Sequence, residues 1–384
     1  MKKLLFLAAL SSVALTSCVN EELENVETQP VLKFDVPALS QTKANVLGEV
    51  SGTTYPEGEH FVVYCKSYTG KYKGWDASDE ASHYFNEKGE TATPNSTVGT
   101  GGGKFWSTSA VHYWPEVEYN LAFAAYSPAV LSTASSAAPS SIAQTATGLQ
   151  ITGFNTATNS DHQYDLMYTP RVYDLNKATN ANASVPLVFK HALSSVVFSS
   201  QKSNEDVDYH IKNVTVRGSF VQKANFNQNV SGATVDGKYV ESEDPKWTPA
   251  NGTGAEYTPF KGVGDNLDPF NVPIEAPEQF TRGTSALLLI PQSLPDDAKV
   301  EVTYVKITYP NYPDKTTNTK LETSVEIPLS AFSYADNGVN RFVTEFEIGK
   351  RYIFRIAFGQ NSRIYFEPSV TDWMTEPTFI YTIQ

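Results

Sequence analysis

Residues 299–310 read KVEVTYVKITYP, and the fold prediction rests on the pattern in this stretch. In an extended chain Val300, Val302 and Tyr304 fall on one face, because successive side chains of a β-strand point to opposite sides. The other face is mixed in character and carries Glu301, Thr303, Val305 and Ile307. The alternation is therefore partial, which is typical of a sandwich strand whose outer face is partly covered.

Short runs of the same kind recur along the chain and are separated by turn-rich pieces. They include VLKFDV at 31–36, HFVVYCKSY at 60–68, YNLAFAAYSP at 119–128, SALLLIPQSL at 285–294 and RYIFRIAFG at 351–359. Aromatic residues make up 12% of the chain, which also has 23 Gly and 22 Pro, and few stretches show helical spacing. We therefore predict an all-β protein of antiparallel sandwiches, with almost no helix.

A polar stretch, NKATNANAS at 176–184, interrupts these runs. The chain is long enough for two ordinary domains, and a loop of this composition is a natural boundary between them. We predict an N-terminal β-sandwich domain at residues 31–184 and a C-terminal one at residues 185–384.

The N-terminus has the pattern of a lipoprotein signal peptide. Lys2 and Lys3 precede an apolar core at residues 4–15, which is too short for a permanent membrane span. Leu15-Thr16-Ser17-Cys18 then reads as a lipobox. We expect removal of residues 1–17 and transfer of a diacylglycerol to Cys18, where each buried methylene contributes about 0.8 kcal/mol of membrane affinity. The alternative is an ordinary secretory signal with an incidental cysteine.

Residues 18–30 follow as an acidic tether without periodicity, CVNEELENVETQP. The whole chain is acidic, with a formal net charge of −13 and a pI near 5.0. Because the chain has no basic patch that could bind phosphate groups, we do not expect nucleic acid as a partner. Cys65 is the second of two cysteines, and with Cys18 lipidated it is predicted to be a buried free thiol.

The sequence shows no constellation typical of an enzyme. The six His have no metal-ligand spacing, and no nucleophile elbow, Walker loop or dinucleotide fingerprint occurs. Asp161 and Asp165 form too sparse a set for calcium and are expected to be solvated loop residues. His191 is expected to be a structural hydrogen-bonding residue, and the Trp residues to be core residues. We predict no catalytic residues, no metal and no cofactor.

The last residues, MTEPTFIYTIQ at 374–384, contain a short alternating run. Phe379, Tyr381 and Ile383 lie on one face of an extended tail. Two interpretations remain open: the tail closes its own sheet, or it is a donor strand that fills a groove in a neighbouring subunit.

Several of these strings, in this order, resemble the fimbrillin family of the Bacteroides group, and the resemblance covers residues 1–384. The matching pieces are LTSC, FDVPALSQTKA, YWPEVEYNLAFAAYSP, DLMYT, FKHALSSVVF, LLLIPQSL, GKRYIFRIAF and SVTDW.

The resemblance implies two transthyretin-like antiparallel β-sandwich domains in tandem. It also implies a surface-exposed lipoprotein of the cell outer membrane, since acidic residues just after the cysteine, here Glu21, Glu22 and Glu24, resemble the family's display signal. In polymerising members a protease cuts after a basic residue and removes the first strand, and a strand from the next subunit fills the groove.

The matching position here is Lys43-Ala44 in SQTKANV. The family's best-known enzyme prefers arginine, so the protease stays open, and an ordinary loop lysine is the alternative. Lys33 is a poorer candidate because it lies inside the predicted strand. The leading function is a structural subunit of a fimbria that supports adhesion, with other fimbrial subunits as partners. The alternative is a non-polymerising surface lipoprotein that binds a glycan or a host protein.

Overall fold

The structure is a computed structural model. It describes residues 29–36, 55–56, 58–76, 82–95, 105–132, 138–181, 183–250, 254–261, 270–274, 276, 278–280, 286–336, 339–359 and 364–372. Strands dominate these residues, and the only α-helix among them is the four-residue α1, Lys177–Asn180. No helix in these ranges combines the length and apolar character that a membrane crossing requires. The prediction of an all-β protein is confirmed.

The strands are numbered in chain order. In the first half they are β1 (Phe34–Asp35), β2 (Phe61–Thr69), β3 (Ser82–His83), β4 (Glu90–Pro94), β5 (Trp106–Thr108), β6 (Tyr119–Ser127), β7 (Ser141–Thr145), β8 (Gly148–Asn155), β9 (Met167–Tyr168), β10 (Val172–Leu175), β11 (Val185–Pro186) and β12 (Lys190–His191). In the second half they are β13 (Ser194–Lys202), β14 (Val207–Gly218), β15 (Lys223–Asn227), β16 (Val230–Val235), β17 (Lys238–Glu243), β18 (Lys246–Pro249), β19 (Ala255–Lys261), β20 (Phe270–Asn271), β21 (Glu278–Gln279), β22 (Leu287–Leu289), β23 (Gln292–Ser293), β24 (Lys299–Thr308), β25 (Thr319–Pro328), β26 (Ser333–Asp336), β27 (Val339–Phe342), β28 (Glu345–Phe346), β29 (Lys350–Phe358) and β30 (Ile364–Asp372). Short 3₁₀ turns lie at Ala129–Ser132, Ser160–His162 and Leu329–Ala331.

The largest sheet runs in the order β11-β1-β5-β4-β2-β6-β9-β12, with β10 beside β6 and β3 beside β2. Strands β11 and β12 lie at opposite ends of this order, yet only residues 187–189 separate them along the chain. The sheet is therefore strongly curved, and its two ends come together at this connection.

Strand β6 separates two apolar clusters. Leu121, Phe123 and Ala125 belong to the first cluster, inside the curved sheet. The intervening side chains, Ala122, Ala124 and Tyr126, belong to the second. That second cluster is completed by the sheet β18-β15-β8-β7, so the two sheets form the layers of a sandwich. Burial on both faces explains why the sequence of this strand is almost continuously apolar.

This second layer joins residues from both sides of residue 185. β8 pairs with β15, where Phe154 lies opposite Ala224 and Ile151 opposite Phe226. The β16–β17 hairpin follows β15 and contacts the first half through Glu241 and Glu243. The division into domains at residues 31–184 and 185–384 stays a prediction. In the structure, residues 223–249 pack against the first half.

The second half contains another pair of layers, β21-β13-β29-β30 and β19-β14-β24-β25, around a large apolar cluster. In β24 the side chains Val300, Val302 and Tyr304 are buried in that cluster, as the sequence predicts. Ile307 on the opposite face is buried as well, which fits a partly covered outer face.

Pairing is antiparallel in most of the described ladders, but two differ from the predicted sandwiches. β13 runs parallel to β29, from Ser195 opposite Arg351 to Lys202 opposite Phe358, and β1 runs parallel to β11. Each pair is far apart in the sequence, so the connecting chain is long enough to return in the same direction. Local alternation does not encode this choice.

The LLLI segment of β22 connects the two cores. Leu287 and Leu289 are buried in the cluster of the second half, whereas Leu288 and Ile290 are buried in the sandwich of the first half. A strand covered on both faces requires an uninterrupted apolar run, which is what residues 286–290 supply.

Gln163 ties the first half to this shared strand. Its Nε2 donates to the carbonyl oxygens of Leu288 at 3.0 Å and Ala157 at 2.7 Å, and its Oε1 accepts from the Leu288 amide at 2.6 Å. We expect Gln163→Leu to lower the free energy of unfolding by about 2–4 kcal/mol, because buried backbone groups lose their partners. Denaturant melts measure this loss. Gln150→Leu is the control, since the Gln150 amide donates to the exposed Thr147 hydroxyl rather than to a buried backbone group. Equal stability of both variants would contradict the bridging role.

Candidate functional site

The short strand β1 fills a gap between two other strands. Phe34 lies opposite Trp106 of β5 on one side and opposite Val185 of β11 on the other. The carbonyl oxygens of Lys33 and Asp35 accept hydrogen bonds from the amides of Val185 at 2.7 Å and Leu187 at 2.8 Å. Upstream of the strand, the Leu32 amide donates to the His112 carbonyl, and the Trp114 amide donates to the Pro30 carbonyl. Removing β1 would therefore leave backbone donors and acceptors without partners on both flanks.

The segment of residues 32–36, which contains β1, carries three apolar side chains at alternate positions on its inward face. Leu32, Phe34 and Val36 are all buried. Phe34 is fully buried and makes edge-to-face contacts with Phe61, Phe85 and Phe123 at centroid distances of 6.2, 6.3 and 5.7 Å. Such contacts add to the apolar burial of an aromatic ring. The strand-like run VLKFDV spaces Phe34 and Val36 for one face, and both lie in the first apolar cluster.

The outward face of β1 differs. The Lys33 side chain is exposed, and its Nζ lies 5.1 Å from the centroid of the Phe105 ring. Because the Lys33 carbonyl is bonded in the sheet, a protease cannot take this peptide into an extended active-site conformation without first removing the strand. This geometry supports the lower rank given to Lys33 as a cleavage site.

The proposed functional positions near the two termini lie outside the described residues. They are Cys18, Lys43, Ala44, Phe379, Tyr381 and Ile383. The structure does describe the residues that flank these positions. Val36 is buried before the Lys43 region, and Tyr55, stacked on Phe189 at 4.9 Å, is buried after it. At the other end, β30 finishes at Asp372 as the last strand in the order of its sheet.

The residues considered above for metal binding or catalysis have structural roles wherever the structure describes their side chains. The Nδ1 of His191 lies 3.1 and 3.0 Å from the two carboxylate oxygens of Asp165, and both side chains are buried. The expectation of a solvated Asp165 is therefore wrong, because this partner compensates for its burial, whereas the structural role of His191 is confirmed. The side chain of Asp161 is outside the described part.

Cys65 and three of the Trp residues match their predicted core positions. Cys65 is a free, buried cysteine, and burial raises the pKa of its thiol. Trp75, Trp106 and Trp114 are buried as well, while Trp373 lies beyond the last described residue. Within the described ranges, no group of three or more His, Cys, Asp or Glu side chains is placed to hold a metal ion.

A second constellation was not predicted from the sequence. Arg171 Nη1 lies 2.8 Å from Glu241 Oε1, with only 1% and 8% of the two side chains exposed. The Tyr72 hydroxyl donates to the same carboxylate oxygen at 3.0 Å, and burial raises the pKa of Tyr72, so it stays a neutral donor. Arg171 also lies over the Trp75 ring at 5.1 Å. Because Arg171 and Glu241 are 70 positions apart, no local spacing could pair them. The only signal is the alternation of KYVESE, which puts both its glutamates on one face.

Fold and site together define an all-β protein of several sheets in which an N-terminal segment completes the first sheet and its aromatic core. A family model described as fimbrillin-like matches residues 66–373, and the chain belongs to this fimbrillin-like family. Membership of this family implies a fimbrial protein of the cell surface. A comparison with curated proteins gives no match.

Solved structures that align with this chain include two from Bacteroides species. A fimbrial protein from Bacteroides vulgatus aligns with a TM-score of 0.54 at 17% identity, covering 90% of this chain and 99% of that one. A candidate cell adhesion protein from Bacteroides uniformis aligns with a TM-score of 0.48 at 15% identity, again over 90% of this chain and 99% of that one. At these identities the likeness concerns the fold alone.

Proposed function

We propose that this chain is a structural subunit of a cell-surface fimbria that supports adhesion. It is exported as a lipoprotein through Cys18, processed after Lys43 and assembled by strand exchange with other fimbrial subunits. The observation that carries the proposal is the segment of residues 32–36 around β1, which has three buried side chains, is paired on both flanks and lies upstream of Lys43. Its role is structural rather than enzymatic.

Cleavage after Lys43 separates the β1 segment covalently from the rest of the sheet. The cut chain begins at Ala44, and its first described residue, Tyr55, is anchored in the core by Phe189 and by a 2.8 Å hydrogen bond to Ser127. Loss of β1 then exposes a groove with apolar pockets at the positions of Leu32, Phe34 and Val36. The free backbone groups of β5 and β11 border this groove, so an extended strand is the complementary occupant.

The C-terminal tail has the matching spacing. Phe379, Tyr381 and Ile383 repeat the i, i+2, i+4 arrangement of the buried side chains of β1. Five residues at about 3.3 Å each span roughly 16 Å, the same length in both segments. We propose that this tail, which follows β30, fills the groove of the next subunit.

The processing step has a direct test. N-terminal sequencing of surface filaments is expected to begin at Ala44, and Lys43→Ala is expected to reduce the yield of polymer while leaving a folded monomer. Lys33→Ala is the matched control and should be processed normally. Deleting Thr378–Gln384 should likewise give a folded, secreted monomer that does not polymerise. Filaments in which every subunit keeps Cys18 would refute the proposal.

Membrane attachment is tested separately through the two cysteines. Cys18→Ala is expected to abolish acylation and to release the protein from the membrane fraction, because several buried acyl chains provide the anchor. Cys65→Ala, which changes only the buried thiol, should keep both the lipid label and the membrane location. Metabolic labelling with a fatty acid and cell fractionation measure the two properties. A Cys18→Ala protein that is still acylated and membrane-bound would contradict the lipobox.

A further inference from the structure

A polar cleft lies beside the β16–β17 hairpin, and none of its lining residues is used in the assembly proposal. It has a volume of about 370 Å³, and the side chains used below, Tyr168, Arg171, Tyr173, Lys190, Glu241 and Glu243, all line it. Ligand sites in proteins range from roughly 300 to 1,000 Å³. This cleft is at the lower end of that range, which suits a small ligand.

The carboxylates of Glu241 and Glu243 are held in place by hydrogen bonds from other side chains of the protein. Glu241 Oε1 accepts from Arg171 and Tyr72, and Glu243 Oε1 accepts from the buried Gln228 amide at 2.9 Å. The same Gln228 amide also donates to the Thr169 carbonyl at 3.1 Å, which fixes its orientation. Carboxylates fixed in this way need no reorganisation when they accept hydrogen bonds from a ligand.

The charges of the cleft compensate one another. Arg171 pairs with Glu241 at 2.8 Å, and Lys190 pairs with Glu243 at 3.0 Å. A small ion would have to compete with these pairs, and breaking the Arg171–Glu241 pair would leave an uncompensated charge at a buried position. The cleft is therefore matched to a neutral ligand that both donates and accepts hydrogen bonds.

Aromatic surface completes the lining. Tyr173 stacks on Tyr72 at 4.3 Å and is only partly buried, so it can present ring surface to a ligand. Burial raises the pKa of Tyr168, so its hydroxyl remains a neutral donor.

We propose that this cleft binds a neutral saccharide of one or two rings. Adjacent hydroxyls of a sugar donate to the carboxylates of Glu241 and Glu243 and accept from Lys190. The apolar face of the ring packs on Tyr173. Binding of this kind uses the folded monomer and does not depend on strand exchange, so either proposal can fail without the other.

The test uses the full mature chain as a monomer. Saturation-transfer NMR and calorimetry are run with glucose, galactose, mannose, N-acetylglucosamine and lactose, each up to about 20 mM. At least one is expected to bind with a Kd on the order of 1 mM, as is typical of a small polar ligand. Lys190→Ala and Glu243→Gln are expected to weaken that binding by about 5–10-fold, because the first removes a hydrogen-bond donor and the second replaces a charged acceptor oxygen by an NH2 group.

Lys299→Ala is the matched control, because Lys299 forms a strand-borne pair with Glu326 at 2.8 Å on another sheet. It should leave the Kd unchanged. Lys190 is half exposed, so its replacement should preserve the fold even if Glu243→Gln does not. Absence of binding to all five sugars would overturn the proposal. Binding with an equal Kd in wild type and in folded Lys190→Ala would overturn it too.

Discussion

Replacing Phe34 by alanine is expected to release β1 from its sheet in the full-length precursor. The ring is fully buried and contacts three other aromatic rings, and truncation of such a side chain typically costs about 3–5 kcal/mol. Because β1 is only two residues long and lies near the start of the described chain, the loss is expected to appear as local opening before global unfolding.

Hydrogen exchange reports on this opening at two defined amides. Val185 and Leu187 donate to the carbonyls of Lys33 and Asp35, so their exchange should accelerate by at least about 100-fold in Phe34→Ala. Lys33→Ala, which changes an exposed neighbour, should leave both rates near those of the wild type. Unchanged protection of Val185 and Leu187 in Phe34→Ala would show that β1 is not held by its aromatic side chain.

The same variant also distinguishes the precursor from the assembled state. If processing removes residues 1–43, the polymerised subunit no longer contains Phe34. The stability of filaments that do form from Phe34→Ala should then equal that of wild-type filaments, measured by resistance to heating in detergent. Filaments weakened by this substitution would indicate that β1 persists in the polymer.

Much of the architecture could be predicted because the local periodicity of apolar residues indicates the strands and their buried faces. The alternation in β24 and the doubly apolar run of β6 each report which faces are covered, and both match the structure. The short FDV segment was predicted as a strand for the same reason, since Phe34 and Val36 are spaced for one buried face. Signals of this kind depend only on neighbouring residues.

Partner choice was not predictable in the same way. The parallel register of β13 with β29, the pairing of β8 with β15 and the sharing of β22 between two cores all join distant segments. Asp165 illustrates the consequence at a single residue: its polar neighbourhood in the sequence suggests solvent, but its spatial partner His191 allows burial. A local pattern indicates that one face of a strand is covered, but the segment that covers it is determined by the tertiary structure.

Replacing Glu241 by alanine is expected to destabilise the first half strongly, by about 3–5 kcal/mol. The substitution leaves the guanidinium of Arg171 buried with its ion partner removed and takes away the acceptor of the Tyr72 hydroxyl. The two carbonyl oxygens of Thr145 and Ala146 that also accept from Arg171 cannot neutralise its charge. Denaturant melts followed by near-UV circular dichroism, which is sensitive to the surrounding tyrosines and Trp75, measure the loss. Glu322→Ala removes the exposed partner of Lys212 and is expected to change stability little.

The origin of that loss can be isolated by removing both charges together. Replacing a buried ion pair by apolar residues of similar size is often neutral or stabilising, whereas removing one partner is costly. The double variant Arg171→Met with Glu241→Leu is therefore expected to recover most of the stability that Glu241→Ala loses, because no uncompensated charge remains. If the double variant is as unstable as Glu241→Ala, then shape and hydrogen bonding, rather than charge compensation, hold the β16–β17 hairpin on the first half. Recovery would show instead that the pair is dispensable for folding, which leaves the chemistry of the cleft as the reason for polar groups at these two positions.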